Sequence, residues 1–243
     1  MFNKSTHKIS PLGTKLSAAL FALSLTSIAQ ATVFDVYSDF SLASNPNGVW
    51  RYGYETTLGG ALNLYDQTST FSGYEVWRST VVQANGVPAV WINPTASSLG
   101  WTPAHTAAFH PGPSGEFSIY RFTAPSTGSY VLSSTFSGID NGGTDVHILN
   151  NGTQFFTANI TGGSTSNFGN TLSLTAGDLI DFAVGVGTDG SYYSDSTGIA
   201  ATLSTAGPGT PPPGSTVPEP ASLALLGIGL AGLAAARRRK QMT

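Results

Sequence analysis

Cysteine is absent from this 243-residue chain, and charged residues make up only 9% of it. The absence of cysteine excludes a disulfide framework, a zinc–thiolate site and a thiol nucleophile. Glycine (29 residues) and proline (14 residues) are plentiful, and hydrophobic residues make up 40% of the chain. This composition favours one domain with a sizeable core, built from short strands and turns rather than from long helices.

Lysine is also absent from the middle of the chain. Between Thr32 and Thr216, only Arg51, Arg78 and Arg121 oppose twelve acidic residues, and the other basic residues lie in the two end segments. Because an acidic middle repels a phosphate backbone, the charge pattern argues against a nucleic-acid partner.

Residues 1–31 have the layout of a secretory signal peptide. Lys4, Lys8 and Lys15 precede an apolar run, Leu16–Ile28, which is followed by a small-x-small site formed by Ala29 and Ala31. Signal peptidase cleaves after such a site, and the run is too short to span a membrane comfortably. We therefore predict a helical signal peptide that directs export by the Sec machinery and is then cleaved, rather than a lasting membrane anchor.

The other end of the chain, residues 217–241, also has the pattern of a targeting segment. A proline-flanked glutamate is followed by the uncharged run Ala221–Ala236 and by the basic cluster Arg237–Lys240. As a helix the run is about 24 Å long, which is marginal for crossing a bilayer, and the basic cluster favours the cytoplasmic side. We predict a transmembrane-like helix with a basic tail.

In this order, the three features resemble the PEP-CTERM sorting signal of Gram-negative, biofilm-forming bacteria. This tail is also named an ice-binding-protein C-terminal domain, a name that does not imply ice binding. The residues that carry the resemblance are Pro218, Glu219, Pro220, Arg237, Arg238 and Arg239. The resemblance implies transient anchoring in the inner membrane, cleavage by an exosortase, and release or attachment at the cell surface, often beside exopolysaccharide. An ordinary tail anchor is the alternative.

The part of the chain between these ends divides into a domain and a linker. Residues 205–216 are rich in Pro, Gly, Ser and Thr and are expected to be an extended linker, which leaves residues 32–204 as the folded domain. Apolar residues alternate within this domain, most clearly from Ile180 to Val186. Period two and the intervening turn residues predict about eight to ten antiparallel strands. We expect an all-β fold, an antiparallel β-sandwich of jelly-roll type, flanked by the signal helix and the transmembrane-like helix.

The segment from His110 to Ser204 is similar to jelly-roll modules of secreted bacterial proteins that are related to carbohydrate-binding modules. The stretches TDVHILNNG and LTAGDLIDFAVG carry the similarity. It implies a fold, but a fold does not determine a ligand.

No catalytic motif is present. Neither G-x-S-x-G nor H-E-x-x-H occurs in the sequence. The domain's three glutamates, Glu55, Glu75 and Glu116, have no spacing that selects a pair for glycoside hydrolysis. We predict that the protein is not an enzyme; a secreted hydrolase or lyase that uses Glu116 or His110 is an alternative.

Aromatic residues are concentrated in the first half of the domain, where all four tryptophans lie between residues 50 and 101. Trp50, Tyr52 and Tyr54 alternate and therefore share one face of an extended strand. With Trp77, they are the candidate platform for stacking on a sugar. The alternative is that these rings fill the core of the sandwich.

Aspartates cluster in the last third of the domain, mostly in or beside turns. Oxygen ligands from loops suit Ca²⁺, and the candidate ligands are Asp178, Asp181, Asp189 and Asp195. The EF-hand loop pattern is absent, and the alternative is that these side chains cap turns. A structural calcium ion is the one cofactor that the sequence suggests.

Together, these features predict an exported, exosortase-processed protein of the cell surface or extracellular matrix. It would bind or support extracellular polysaccharide without catalysis. A structural or adhesive surface protein without affinity for glycans is the main alternative.

Overall fold

The structure is a computed structural model that describes residues 31–205, and within this range it contains fourteen β-strands and no helix. Eight strands form sheet 1: β1 (Val33–Asp35), β4 (Gln67–Phe71), β5 (Tyr74–Arg78), β6 (Ala89–Asn93), β7 (Thr106–His110), β9 (Gly128–Gly138), β12 (Thr165–Leu174) and β14 (Thr197–Thr205). Six strands form sheet 2: β2 (Trp50–Glu55), β3 (Asn63–Leu64), β8 (Phe117–Thr123), β10 (Gly143–Asn150), β11 (Thr153–Thr161) and β13 (Leu179–Gly185).

All neighbouring strands are antiparallel. Sheet 1 has the order β12-β9-β14-β7-β6-β5-β4, with β1 paired to β14, and sheet 2 has the order β11-β10-β13-β8-β2-β3. The all-β, antiparallel prediction is confirmed, and more strands form than the sequence indicated. The two predicted flanking helices lie outside the described residues.

One aromatic core joins the two sheets. Trp50 and Phe122 of sheet 2 pack edge to face with ring centroids 5.6 Å apart, and Phe136 of sheet 1 contacts Phe182 of sheet 2 at 6.5 Å. These four rings are almost completely buried. Two sheets that bury one shared apolar layer are consistent with the predicted β-sandwich.

The alternation seen in the sequence corresponds to burial on opposite faces. In β13, Ile180, Phe182 and Val184 face the shared core. The intervening Ala183 is also buried, in a smaller cluster with Ile119 and Leu149 on the other face of sheet 2. Strand β13 is therefore covered on both faces, which explains why it reads as a nearly continuous apolar run.

The predicted turns lie between strands. The clearest case is Asn151-Gly152, which connects β10 to β11 with φ values of 50° and 77°. Positive φ at both central residues is typical of a type I′ hairpin, for which Asn-Gly is the preferred sequence.

Three predicted segments lie beyond the described range: the signal peptide, nearly all of the linker and the C-terminal sorting segment. The domain boundaries at 32 and 204 therefore stay predictions. Within residues 31–205, no helix is long and apolar enough to cross a membrane.

Candidate functional site

The four aromatic residues that the sequence suggested as a sugar platform lie in the core. Trp50 and Tyr52 are each 1% exposed, Trp77 is 7% exposed and Tyr54 is 8% exposed. Trp50 Nε1 donates to Asp39 at 3.1 Å, so the polar end of this ring is also occupied. The structure corrects this prediction, because all four rings belong to the core shared by the two sheets and present no free face to a ligand.

A different set of aromatic residues lines a groove on the outer face of sheet 1, which we name the aromatic groove. It has a volume of about 390 Å³. Its lining comes from β4, β5, β6 and three loops: Ser69, Phe71, Tyr74, Val76, Arg78, Asn85, Gly86, Val87, Ala89, Trp91, Trp101, Thr102 and Ser196.

Strand register brings the floor of the aromatic groove together. Phe71 of β4 is paired with Tyr74 of β5, and Val76 of β5 is paired with Trp91 of β6. Because paired residues in a sheet lie on the same face, these four side chains all point away from the core. Trp77 follows Val76 in β5 and points inward, because successive side chains of a strand point to opposite faces of the sheet.

Two tight turns form the walls of the aromatic groove. The first carries Asn85 and Gly86, which both have positive φ. The second places Trp101 at its tip, where the ring is 70% exposed. Trp91 Nε1 donates to Thr102 Oγ1 at 3.1 Å and so fixes the Trp91 ring against the base of the second turn. The groove therefore combines one projecting ring with a more rigid floor.

A smaller depression of about 280 Å³ adjoins the groove and shares Asn85, Val87, Trp91 and Ser196 with it. Tyr192 and Tyr193 line this depression, with ring centroids 4.4 Å apart. Asn85 Nδ2 donates to the Tyr192 hydroxyl at 3.2 Å. The aromatic surface thus continues past the groove towards the segment that precedes β14.

The candidate catalytic residues are engaged in structural contacts. The Glu116 carboxylate accepts from the Ser114 N–H at 2.9 Å and so closes the turn before β8. Glu55 lies 2.8 Å from Arg121. Burial lowers the pKa of His110, whose Nδ1 is 2.8 Å from the Pro111 carbonyl oxygen.

The four predicted calcium ligands do not converge on one point. Asp178 caps a turn by accepting from the Thr175 N–H at 2.7 Å, and it also accepts from Asn151 at 3.0 Å. Asp181 is completely buried and forms an ion pair with Arg121. Asp189 is exposed and accepts from the Ser191 N–H. In residues 31–205, no three His, Asp or Glu side chains form a group that could hold a metal ion.

Asp195 differs from the other three aspartates. It is 1% exposed, and both of its carboxylate oxygens are buried without a hydrogen-bond partner. Burial, together with the negative charges of Asp189, Asp140 and Asp145, raises the pKa of Asp195 to about 7. A cation that bound beside this carboxylate would supply the missing partner, so Asp195 is the candidate ligand that the structure leaves open.

Sequence reasoning missed the aromatic groove for two reasons. Its rings come from three strands and one turn, and only the cross-strand register places the strand rings side by side. Trp91 and Trp101 were visible as tryptophans outside the Trp50–Tyr54 pattern, and the tight turn around Gly100 was the one local signal that Trp101 would project.

The end of the chain, which lies outside the described residues, gives the clearest similarity. Residues 216–240 match the PEP-CTERM protein-sorting motif. The chain therefore carries a C-terminal sorting signal for the cell surface, as its Pro-Glu-Pro segment and arginine cluster predicted. No curated protein matches the chain by sequence.

The structural neighbours of the PEP-CTERM-tagged chain include carbohydrate-binding modules. A family 35 module from Clostridium thermocellum is 13% identical, with 56% of this chain and 98% of that chain covered and a TM-score of 0.31. For module CBM36, in complex with calcium and xylotriose, the identity is 13%, the coverage 47% and 92%, and the TM-score 0.30. CBM51 from Clostridium perfringens, in complex with methyl-galactose, is 14% identical, with 58% of this chain and 94% of that chain covered and a TM-score of 0.33. At these TM-scores and identities, the similarities carry no argument about a ligand or a metal of this chain.

Proposed function

We propose that this chain is an exported protein of the cell surface or extracellular matrix that binds extracellular polysaccharide without cleaving it. The observation that carries the proposal is the aromatic groove. Trp101, Tyr74 and Trp91 offer apolar ring faces on which sugar rings can stack. Ser69 and Asn85 supply polar groups at the sides. An apolar, concave surface with a few convergent polar groups is typical of a small-ligand site.

The sorting motif supports the proposed location. In this proposal the Sec machinery exports the chain, signal peptidase removes residues 1–31, and the tail is held transiently in the inner membrane of a Gram-negative bacterium. An exosortase then cleaves near Pro218-Glu219-Pro220. The jelly-roll-like sandwich would be left at the surface, where exopolysaccharide is the available ligand.

A structural calcium ion near Asp195 is part of the proposal. The Asp195 carboxylate is buried and unpartnered, and Asp189, Asp140 and Asp145 contribute negative charge around it. Carboxylate and main-chain oxygens in loops are the ligands that Ca²⁺ prefers. Asp178 and Asp181 are not included, because each is already bonded to other groups.

Retention of the full-length chain on polysaccharide gels tests the binding function. Trp101→Ala removes the projecting ring and should weaken retention by about tenfold or more, because the stacking of a sugar on this ring would be lost. Phe155→Ala is the matched control, because Phe155 is a partly exposed ring on β11 of sheet 2, outside the groove. Equal retention of both variants and the parent chain would contradict the groove as the site.

The same preparations separate the alternatives. Release of reducing ends from the polysaccharide would favour a hydrolase or lyase. Self-association in sedimentation, with no retention on any glycan, would favour the structural or adhesive reading and overturn the proposed function.

A further inference from the structure

The aromatic groove contains a positive charge that no carboxylate of the described residues neutralises. Arg78 lies on the floor of the groove, and its Nε donates to Gln67 Oε1 at 2.9 Å. The salt bridges within residues 31–205 involve Arg121 and His147, and none involves Arg78. Asp66, which immediately precedes Gln67, bonds through both carboxylate oxygens to Thr80.

This placement is notable because the domain is acidic. Arg121 is occupied by Glu55 and Asp181, and Arg51 donates to Thr123 on sheet 2. Arg78 is therefore the one arginine in residues 31–205 that lines the groove, whose lining includes no aspartate or glutamate. Although the domain carries a net negative charge, the Arg78 cation therefore lies without a neutralising carboxylate among rings on which sugars can stack.

The local structure also holds the guanidinium group in place. The hydrogen bond to Gln67 fixes the Nε edge of the Arg78 guanidinium group. The tight turn at Asn85-Gly86 lies beside Nη1, since a Cβ on Gly86 would lie 3.4 Å from that atom. A planar guanidinium that is held at one edge still offers donors in the geometry that matches a carboxylate.

We infer that the aromatic groove selects an acidic saccharide, in which a uronate carboxylate pairs with Arg78 while the sugar rings stack on Trp101 and Trp91. This inference rests on the proposed polysaccharide-binding function and names the class of sugar. The carboxylate replaces the counter-ion that the protein does not supply, and the rings supply affinity that is independent of charge.

The test uses the full-length chain and four polysaccharides: a polygalacturonate, its methyl ester, a neutral glucan and a sulfated galactan. Polygalacturonate should bind, and the ester should bind about tenfold more weakly because esterification removes the charge. Arg78→Gln should lose about tenfold in affinity for the polyuronate. Arg78→Lys should recover only part of this loss, because an ammonium group lacks the planar fork.

Arg51→Gln is the matched control, since it removes an arginine on the other sheet and should leave binding unchanged. Thermal unfolding of each variant shows whether it is folded. If Trp101→Ala loses binding to a neutral glucan and Arg78→Gln does not, the groove binds neutral sugars and the inference fails while the proposed function stands. Stronger binding to the sulfated galactan than to the polyuronate would also overturn the choice of a carboxylate. If the parent chain binds none of the four, both the inference and the proposed function fail.

Discussion

The carboxylate of Asp195 lies directly against Gly142, so close that a Cβ on residue 142 would overlap Oδ1. The main chains of the two segments are also joined, because the Gly142 N–H donates to the Ser194 carbonyl at 2.8 Å. Asp195 is therefore enclosed by backbone on one side and by negative side chains on another. Asp145 contributes a full charge there, because hydrogen bonds from His147 and the Gly187 N–H outweigh the opposing effect of burial and lower its pKa.

The first prediction concerns pH. The pKa of Asp195 is raised from 3.8 to about 7, and burial, reinforced by Asp181, raises the pKa of Glu55 from 4.5 to about 6. The folded state therefore retains protons that the unfolded state releases, so the free energy of unfolding falls as pH rises from about 4 to about 7. Denaturant unfolding in calcium-free buffer across this range should show the fall. A flat profile, or stability that rises over this interval, would contradict both shifts.

The second prediction concerns calcium. If Ca²⁺ binds beside Asp195, millimolar calcium should raise the unfolding temperature at pH 7, because a ligand that binds only the folded state stabilises it. Asp195→Asn should abolish this calcium effect and also make the calcium-free domain less sensitive to pH. Asp178→Asn is the control and should retain the calcium effect, since the structure gives Asp178 a turn-capping role. Calcium stabilisation that survives Asp195→Asn would exclude this location.

The third prediction concerns the buried charges of sheet 2. Arg121 Nη2 lies 2.8 Å from both Glu55 Oε1 and Asp181 Oδ2, and both acidic side chains are completely buried. Arg121→Met leaves two buried carboxyl groups without their cation and should cost about 3–5 kcal/mol of unfolding free energy. Urea denaturation at pH 7 measures this loss of unfolding free energy. Arg51→Met, which breaks no ion pair, should cost far less, and equal losses in the two variants would show that Arg121 acts only by packing.

How far the sequence determined these features depends on the range of the interactions involved. Strand β13 could be predicted because alternation between Ile180 and Phe182 is local, and the β10–β11 hairpin because Asn151-Gly152 needs only its own φ values. The sorting segment could be predicted because its three features are contiguous. Each of these signals lies within a few residues of chain.

The site depends on contacts that the local pattern does not contain. Alternation showed that Trp50 and Tyr52 share one face of a strand. It could not show that sheet 1 covers this face and buries both rings in the core. The groove requires Val76 to pair with Trp91 across strands separated by a loop. Likewise, nothing in the local sequence around Arg121 and Arg78 shows which of the two arginines is paired with carboxylates. The fold supplies Arg121 with two carboxylates from distant strands and supplies Arg78 with none.

The fourth prediction separates core rings from groove rings. Trp50 is 1% exposed and packs against Phe122 and Phe182, so Trp50→Ala should cost about 3–5 kcal/mol of unfolding free energy. Trp101→Ala should change stability by about 0.5 kcal/mol or less, because the ring is 70% exposed. Chemical denaturation of the two variants measures the contrast. A large loss for Trp101→Ala would mean that its effect on ligand retention could not be assigned to the groove.

The last prediction concerns the sorting segment, which we expect to act independently of the domain. Residues 216–240 match the PEP-CTERM motif, so Glu219→Ala should leave an uncleaved, membrane-associated chain in a host that has an exosortase. Deletion of Arg237–Lys240 should have the same effect, because we expect a basic cluster in this position to keep the tail's end on the cytoplasmic side. Fractionation and the apparent mass of the chain report both outcomes, and Asp66→Asn, a surface change in the domain, is the control. Since neither sorting change touches the groove, the retained chain should still bind polysaccharide. Normal processing of both variants would show that the tail is an ordinary anchor, and loss of binding would show that the tail and domain are coupled.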